Sequence, residues 1–159
     1  MTVVQVGAEV VRPLRASVLR PGQPARESVY QGDDDLLSAH VAVCVAAGRV
    51  RRGLGAHAGE GDVVAVGTVL LEAPPWETRW DRAWRIRGMA THPDRRRSGL
   101  GTLVLAALVD HVAAHGGGLV WCNARVRARA LYERAGFEPR GAAFDLPGLG
   151  PHLQMWRSA

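Results

Sequence analysis

The stretch WRIRGMATHPDRRRSGLGTLVLAALVDHV, residues 84–112, joins a strand to a helix through a turn of arginines and glycines. Trp84 and Ile86 alternate with Arg85 and Arg87, the period of a strand with one buried face. Gly88 then interrupts the alternation, and Met89 is apolar where a polar side chain is due. A glycine inside a strand, coupled to a phase slip, marks a β-bulge. Such a bulge leaves backbone N–H and C=O groups open to a ligand lying alongside as another strand would. After Pro93, three arginines at 95–97 meet Gly99 and Gly101, which permit unusual dihedrals and close backbone approach. Leu100, Leu103, Val104, Ala107, Leu108, His111 and Val112 then recur at helical spacing. The turn therefore opens a helix that runs to about His115. Free N–H groups at a helix start attract anions, and phosphate is the ligand this stretch suits.

Working outward, residues 3–6 read as a first strand. Arg12-Pro13 fits a helix start, with Leu14, Val18 and Leu19 as its apolar face and Pro21-Gly22 as its end. GQPARESVYQGDDD is loop-like. SAHVAVCVAAG and DVVAVGTVLLEA are β-branched strands separated by a glycine-rich turn over 53–61. Downstream, GGGLVWCNA is a further strand. ARALYERAGF is a second amphipathic helix, with Ala128, Leu131, Tyr132 and Ala135 on one face and Gly136 as its cap. RGAAFDL and GPHLQMWRS close the chain as two strands around PGLGP. The pattern predicts a mixed α/β fold with a bulged central strand flanked by helices. No repeat, linker or low-complexity segment interrupts it, so residues 1–159 read as a single domain.

The chain of 159 residues is long enough for one hydrophobic core. No apolar run reaches the roughly 18 residues of a membrane span. MTVVQVGAEV lacks the basic start and long apolar run of a signal peptide, so a cytoplasmic location and no membrane partner are expected. Cys44 and Cys122 sit in apolar strand-like runs far apart, which suits buried free thiols rather than a disulfide or a metal knuckle. The net charge of +5 raises nucleic acid as a partner. All 20 basic residues are arginine, however, which reads as coding bias, and they are spread beyond the clusters at 95–97 and 125–129. With no recognisable module or stacking aromatics, nucleic acid is not an expected partner.

A bulged strand, R-R-x-G-x-G, a long helix, a strand and a helix bearing L-Y-E-R-x-G-F together resemble the GNAT superfamily of N-acetyltransferases. The family's Q/R-x-x-G-x-G/A signature falls on Arg96, Gly99 and Gly101, and its second signature on Tyr132. The resemblance covers most of the chain and is strongest over 84–137. VLRPGQP, NAR and the late GPH are similar to a bacterial branch of small GNAT proteins with undefined acceptors. The resemblance implies acetyl-CoA as cosubstrate and an amine of a small molecule or protein as acceptor. It implies backbone contacts to the pantetheine arm at Met89, Ala90 and Thr91. Phosphate contacts would come from Arg96, Arg97, Ser98, Gly99, Leu100, Gly101 and Thr102. The family's asparagine, seven residues before its tyrosine, is Arg125 here, and Asn123 lies two residues earlier. Both stand as cosubstrate candidates.

In that family a neutral amine attacks the thioester carbonyl and the thiolate departs. Similarity assigns Tyr132 the protonation of that thiolate, while N–H groups at the bulge polarise the carbonyl. Periodicity alone makes Tyr132 a core aromatic, because it shares a face with Ala128 and Leu131. No general base stands out. Asp33 and Asp34 in the run 33–35 could draw in a cationic amine, against the ordinary reading of a solvated turn. Asp145 and His152 flank the last hairpin; His152 could orient the acceptor, relay a proton or anchor a turn. His111 and His115 have zinc-pair spacing without the glutamate of H-E-x-x-H, and no metal is expected. Trp76, Trp80 and Trp84 recur every four residues, packing the core or covering the acceptor cleft or a homodimer surface. Because no base is evident, a non-catalytic acyl-CoA-binding or sensing domain is the alternative.

Overall fold

Valine-rich runs make the strands, and glycines and prolines mark where they stop. The computed structural model describes residues 1–46 and 61–159. In chain order the elements are β1 (Thr2–Val6), α1 (Ala8–Leu19), β2 (Ala39–Ala46), β3 (Gly61–Leu71), β4 (Ala83–Thr91), α2 (Leu100–Ala114), β5 (Leu119–Arg125), α3 (Arg129–Arg134), β6 (Glu138–Leu146) and β7 (Gly150–Ser158). The strands form one sheet in the order β1-β2-β3-β4-β5-β7-β6. Every neighbouring pair is antiparallel except β4 and β5, which α2 joins as a crossover. The glycine turn expected over 53–61 lies outside the described residues, apart from Gly61 at the start of β3. Among the described residues no helix is long and apolar enough to cross a membrane.

Two apolar layers sandwich the sheet. On one face α2 packs Leu100, Val104, Leu105, Leu108 and Val112 against Trp84, Ile86 and Val69. On the other, α1 packs Val11 and Leu14 against Val66 and Ala90. The face of α2 differs from the one periodicity selects: Leu103 is 37% exposed, whereas Leu105 is fully buried. A helix apolar on nearly every side offers periodicity little to choose between, and the sheet and α3 make the choice. Helix α1 begins at Ala8 rather than at Arg12-Pro13, so Pro13 lies inside it. An interior proline costs about 3 kcal/mol. Burying Val11 and Leu14 returns about 1.5–3 kcal/mol each, enough to carry the helix through it. Both cysteines are buried free thiols. Trp84 is core, its indole N–H donating to the Gly117 carbonyl at 3.0 Å. Trp76 meets Trp121 edge-on, and Trp80 is exposed.

The expected bulge is present. Val66 pairs with Ala90 and Thr68 with Arg87, so Gly88 and Met89 together oppose Gly67. Gly88 has φ +64°, the left-handed region that glycine enters at no steric cost. The extra residue reverses the alternation: Trp84 and Ile86 face α2 before it, Met89 after it. Gly67 makes room for that reversal. A Cβ there would lie 2.6 Å from Met89 Sδ, 2.7 Å from Val104 Cγ1 and 2.9 Å from Leu108 Cδ1. Gly67→Ala should therefore overpack the bulge and cost about 1–3 kcal/mol. Urea denaturation would report this as a lower midpoint at unchanged slope; an unchanged midpoint would mean the core absorbs the methyl freely.

Candidate active site

Strands β4 and β5 pair only over Ala83–Arg85 with Leu119–Trp121. Beyond that point they splay, leaving the bulged half of β4 without a partner on that side. A cleft of about 1090 Å³ fills the opening. Its walls come from β4, the start of α2, the end of β5, α3, the loop after α1 and the β6–β7 hairpin. Met89, Ala90 and Thr91 line it, as do Arg96, Arg97, Gly99, Leu100, Gly101 and Thr102. Asn123 and Arg125 both line it as well, so the structure brings together every cosubstrate candidate except Ser98. The Ser98 hydroxyl instead donates to the Arg95 carbonyl and braces the turn.

That turn ends in an open helix N-terminus. Gly99 is the N-cap of α2, with φ +79° and no side-chain cap. Among the described residues no side chain caps the first N–H groups of this 15-residue helix, and Gly99, Leu100, Gly101 and Thr102 line the cleft. Arg97 also has positive φ, 60°, a conformation a non-glycine residue adopts at a cost. Around this end, burial and the charges of Arg127, Arg96 and Arg20 push Arg125 below its ordinary range. Four cations crowded so closely call for an anion. Two residues before Arg125 on β5, Asn123 Oδ1 is buried with no donor among the described residues, an acceptor that the amides of a pantetheine arm would satisfy.

Tyr132 is buried on α3, edge-on to Phe137 at 5.5 Å, and also borders the cleft. Burial raises its pKa well above the ordinary tyrosine value, helped by Cys122, whose sulfur accepts from the hydroxyl. Burial pushes the Cys122 thiol up to about 12, so that pair is neutral. His152 on β7 lines the cleft, in register with Arg125 of β5 and Phe144 of β6. Its Nδ1 lies 2.8 Å from the Gly150 carbonyl. A carbonyl only accepts, so Nδ1 carries a proton and is the donor in this contact. His111 and His115 are engaged elsewhere, with the Leu37 and His111 carbonyls.

The acidic candidates do not reach the cleft. Asp33 is neither a solvated turn residue nor an exposed lure for a cationic amine, because its side chain is fully buried. Arg15 Nη1 and Nη2 donate to it at 2.9 and 3.3 Å, and the Tyr30 N–H at 3.0 Å. Arg15 Nη2 also donates to Thr68 Oγ1 at 2.6 Å, and Thr68 in turn meets His40. Burial pushes the Asp33 carboxyl up, but the Arg15 and Tyr30 hydrogen bonds and the Arg15 charge outweigh it and hold it below its usual value. Asp34, with its side chain 86% exposed, faces solvent and Arg12. Asp145 is exposed on β6, in register with Pro151, and lies outside the cleft lining.

A family model for the acetyltransferase (GNAT) family matches residues 51–137, more than half of the chain. The chain belongs to the GNAT family. YitI of Bacillus subtilis, named as an N-acetyltransferase, is 27% identical over 158 residues, covering 99% of this chain and 96% of that protein. Escherichia coli ElaA superimposes with a TM-score of 0.67 at 15% identity, over 99% of both chains. An aminoglycoside 6′-N-acetyltransferase complexed with coenzyme A superimposes at 0.66 and 15% identity, over 99% of this chain and 97% of that one. At such identities the structural likeness is one of fold. As a GNAT protein the chain is an acyl-CoA-dependent acetyltransferase, an enzyme whose fold binds acetyl-CoA and an acceptor substrate.

Several GNAT cleft residues escape a reading by motif. Arg15, Tyr30, Arg20 and Arg127 reach the cleft from elements distant in sequence. Arg85 and Arg87 had a signal: both alternate out of phase with Trp84 and Ile86, and so share the face away from α2. The Arg15–Asp33 pair gives a pH prediction. A carboxyl held below its unfolded value of about 3.9 contributes stability above that pH and loses it as pH falls toward the folded pKa. Asp33→Asn should lower stability at neutral pH and flatten its decline below about pH 4 in acid titrations followed by circular dichroism. An equally steep decline in the variant would move the acid sensitivity to other carboxylates.

Proposed function

We propose that this enzyme transfers the acetyl group of acetyl-CoA to a primary amine, within a single catalytic domain spanning the chain. The observation that carries the reading is the uncapped α2 N-terminus at one end of the splayed β4–β5 cleft, whose lining also includes Tyr132. In this reading the Arg96–Gly99 turn and the first N–H groups of α2 hold the pyrophosphate. Arg125 and its neighbours meet the remaining phosphate. Backbone groups of Met89, Ala90 and Thr91 pair with the pantetheine amides, and Asn123 Oδ1 accepts from one of them. A bulge N–H polarises the thioester carbonyl.

His152 Nε2 takes the proton that the attacking amine gives up as the new C–N bond forms. The C–S bond then breaks, and the departing sulfur takes its proton from Tyr132. The phenol is protonated at working pH, as a donor must be, and burial only deepens that preference. Its resting acceptor, the Cys122 sulfur, is weak, so the hydroxyl turns toward the departing sulfur at small cost.

Thiol release from acetyl-CoA over a panel of amines tests the reaction. Tyr132→Phe should lower kcat by roughly 10²–10⁴ while CoA affinity holds, since the proton is needed only in the transition state. Wild-type turnover in that variant, with chemistry rate-limiting, would return Tyr132 to a packing role. His152→Ala should lower kcat or raise the acceptor KM without moving CoA affinity. In thermal melts, CoA at about 100 times its Kd should stabilise the protein by about 2.7 kcal/mol. Gly99→Val should abolish that shift, because valine opposes positive φ and crowds the phosphate approach. A retained shift would remove the turn from the cosubstrate site.

A further inference from the structure

The cleft carries a second group of cations, and acetyl-CoA has no use for it. Arg85 and Arg87 project from β4 ahead of the bulge, on the face away from Trp84. Arg15 reaches the same end from α1, and a Cβ on Gly88 would lie 2.8 Å from its Nε. Four strand steps separate Arg87 from Thr91, about 13 Å at the usual rise, before the phosphate turn begins. The arm that spans this stretch of the cosubstrate is uncharged.

Two of these three cations have a counter-charge. Arg15 is paired with Asp33, and Arg85 Nη1 with Glu72 Oε2 at 2.7 Å. Arg87 has no carboxylate within ion-pair distance among the described residues. Its guanidinium lies over the Tyr30 ring at 4.0 Å, and Arg15 also lies over Tyr30 at 4.0 Å. Tyr30 thus braces the Arg87 guanidinium through a cation–π contact, and that guanidinium donates no hydrogen bond among the described residues. Arg15 Nε and Arg85 Nε are both buried without an acceptor among the described residues. Burial and the charge of Arg85 push Arg87 below its ordinary range, though a guanidinium stays charged in proteins. A half-buried, stacked cation beside two orphaned donors is arranged to receive an anion.

Building on the acetyltransferase reading of this cleft, we infer that the acceptor is an amine that also carries a carboxylate. The carboxylate sits bidentate on Arg87, and the amine lies at the bulge beside Gly88. The same cations repel polyamines and other polycationic acceptors.

Amines paired with their carboxamides test this: glycine, β-alanine, 4-aminobutyrate, 5-aminopentanoate, glutamate and phenylalanine, with spermidine as the cationic control. At least one acid should exceed its amide in kcat/KM by about tenfold or more, with spermidine inert. Arg87→Gln should bring the acid-to-amide ratio close to one, and Arg87→Lys should restore part of it. The CoA-induced thermal shift checks that each variant is folded. Amides or spermidine turned over as well as the acids would overturn the anion site while leaving acetyl transfer intact. An unchanged ratio in Arg87→Gln would overturn it equally. Absence of thiol release with every amine would count against acetyl transfer instead. Thermal shifts of CoA-saturated protein with the N-acetylated acids and amides then judge the anion site alone. Preferential stabilisation by the acids supports it; equal or no stabilisation overturns it.

Discussion

One extra residue in β4 holds the molecule together as a working site. Gly88 and Met89 oppose Gly67, and that two-for-one register moves Met89 into the α2 core and turns Ala90 toward α1. Without the slip, Met89 would share the face of Arg85 and Arg87, and Ala90 that of Trp84 and Ile86. With it, the first half of β4 presents arginines to the cleft and the second half presents open backbone. The bulge therefore does two jobs through one backbone irregularity: it re-aims side chains and it exposes hydrogen-bonding groups beside a splayed neighbour.

The splay multiplies the effect. Strands β4 and β5 are the sheet's one parallel pair, joined by a helix rather than a hairpin, so no turn forces their far ends together. Helix α2 starts at the open end and brings its unsatisfied N–H groups to the place where the strands stand farthest apart. The positive end of a helix and the arginines of the preceding turn then act on the same small volume. Burial decides how strongly. Arg125 and Arg87 are both pressed below their ordinary range by removal from water and by like charges. Each is a place where a bound anion would relieve an existing cost.

Burial also separates the two kinds of acid in this protein. Asp33 is deep but ionised, because two guanidinium hydrogen bonds and a backbone N–H outweigh desolvation. Tyr132 is deep and neutral, and burial raises its pKa further above the ordinary tyrosine value. The first serves as an anchor that fixes Arg15 and, through it, the floor beneath Tyr30. The second keeps its hydroxyl proton at the edge of the cleft. Burial raises both pKa values: it opposes the charge of Asp33, whose partners offset it, and reinforces the neutral state that Tyr132 already has.

Much of this was legible in residue order alone. The glycine and phase slip at 88–89, the arginine–glycine turn and the tyrosine helix are local patterns, and local patterns follow from backbone sterics and periodicity that neighbours in sequence impose on each other. They determined the strand–bulge–turn–helix core of the fold, an anion-binding turn and a stretch of open backbone, while the family resemblance supplied acetyl-CoA as the ligand. Other features were decided only when the chain closed on itself. The buried face of α2 depended on what packed against it, since an almost wholly apolar helix does not favour one side. Pro13 inside α1 depended on the burial of Val11 and Leu14. Asp33 read as a solvated turn because its partner, Arg15, lies 18 residues away on a helix that folds over it. Arg15, Tyr30 and Arg87 come from three elements, and their meeting is a product of sheet register and helix packing. Charge in a run of residues says what a segment can attract. Which charges remain unpaired is a property of three-dimensional neighbours, and only the tertiary structure assigns those.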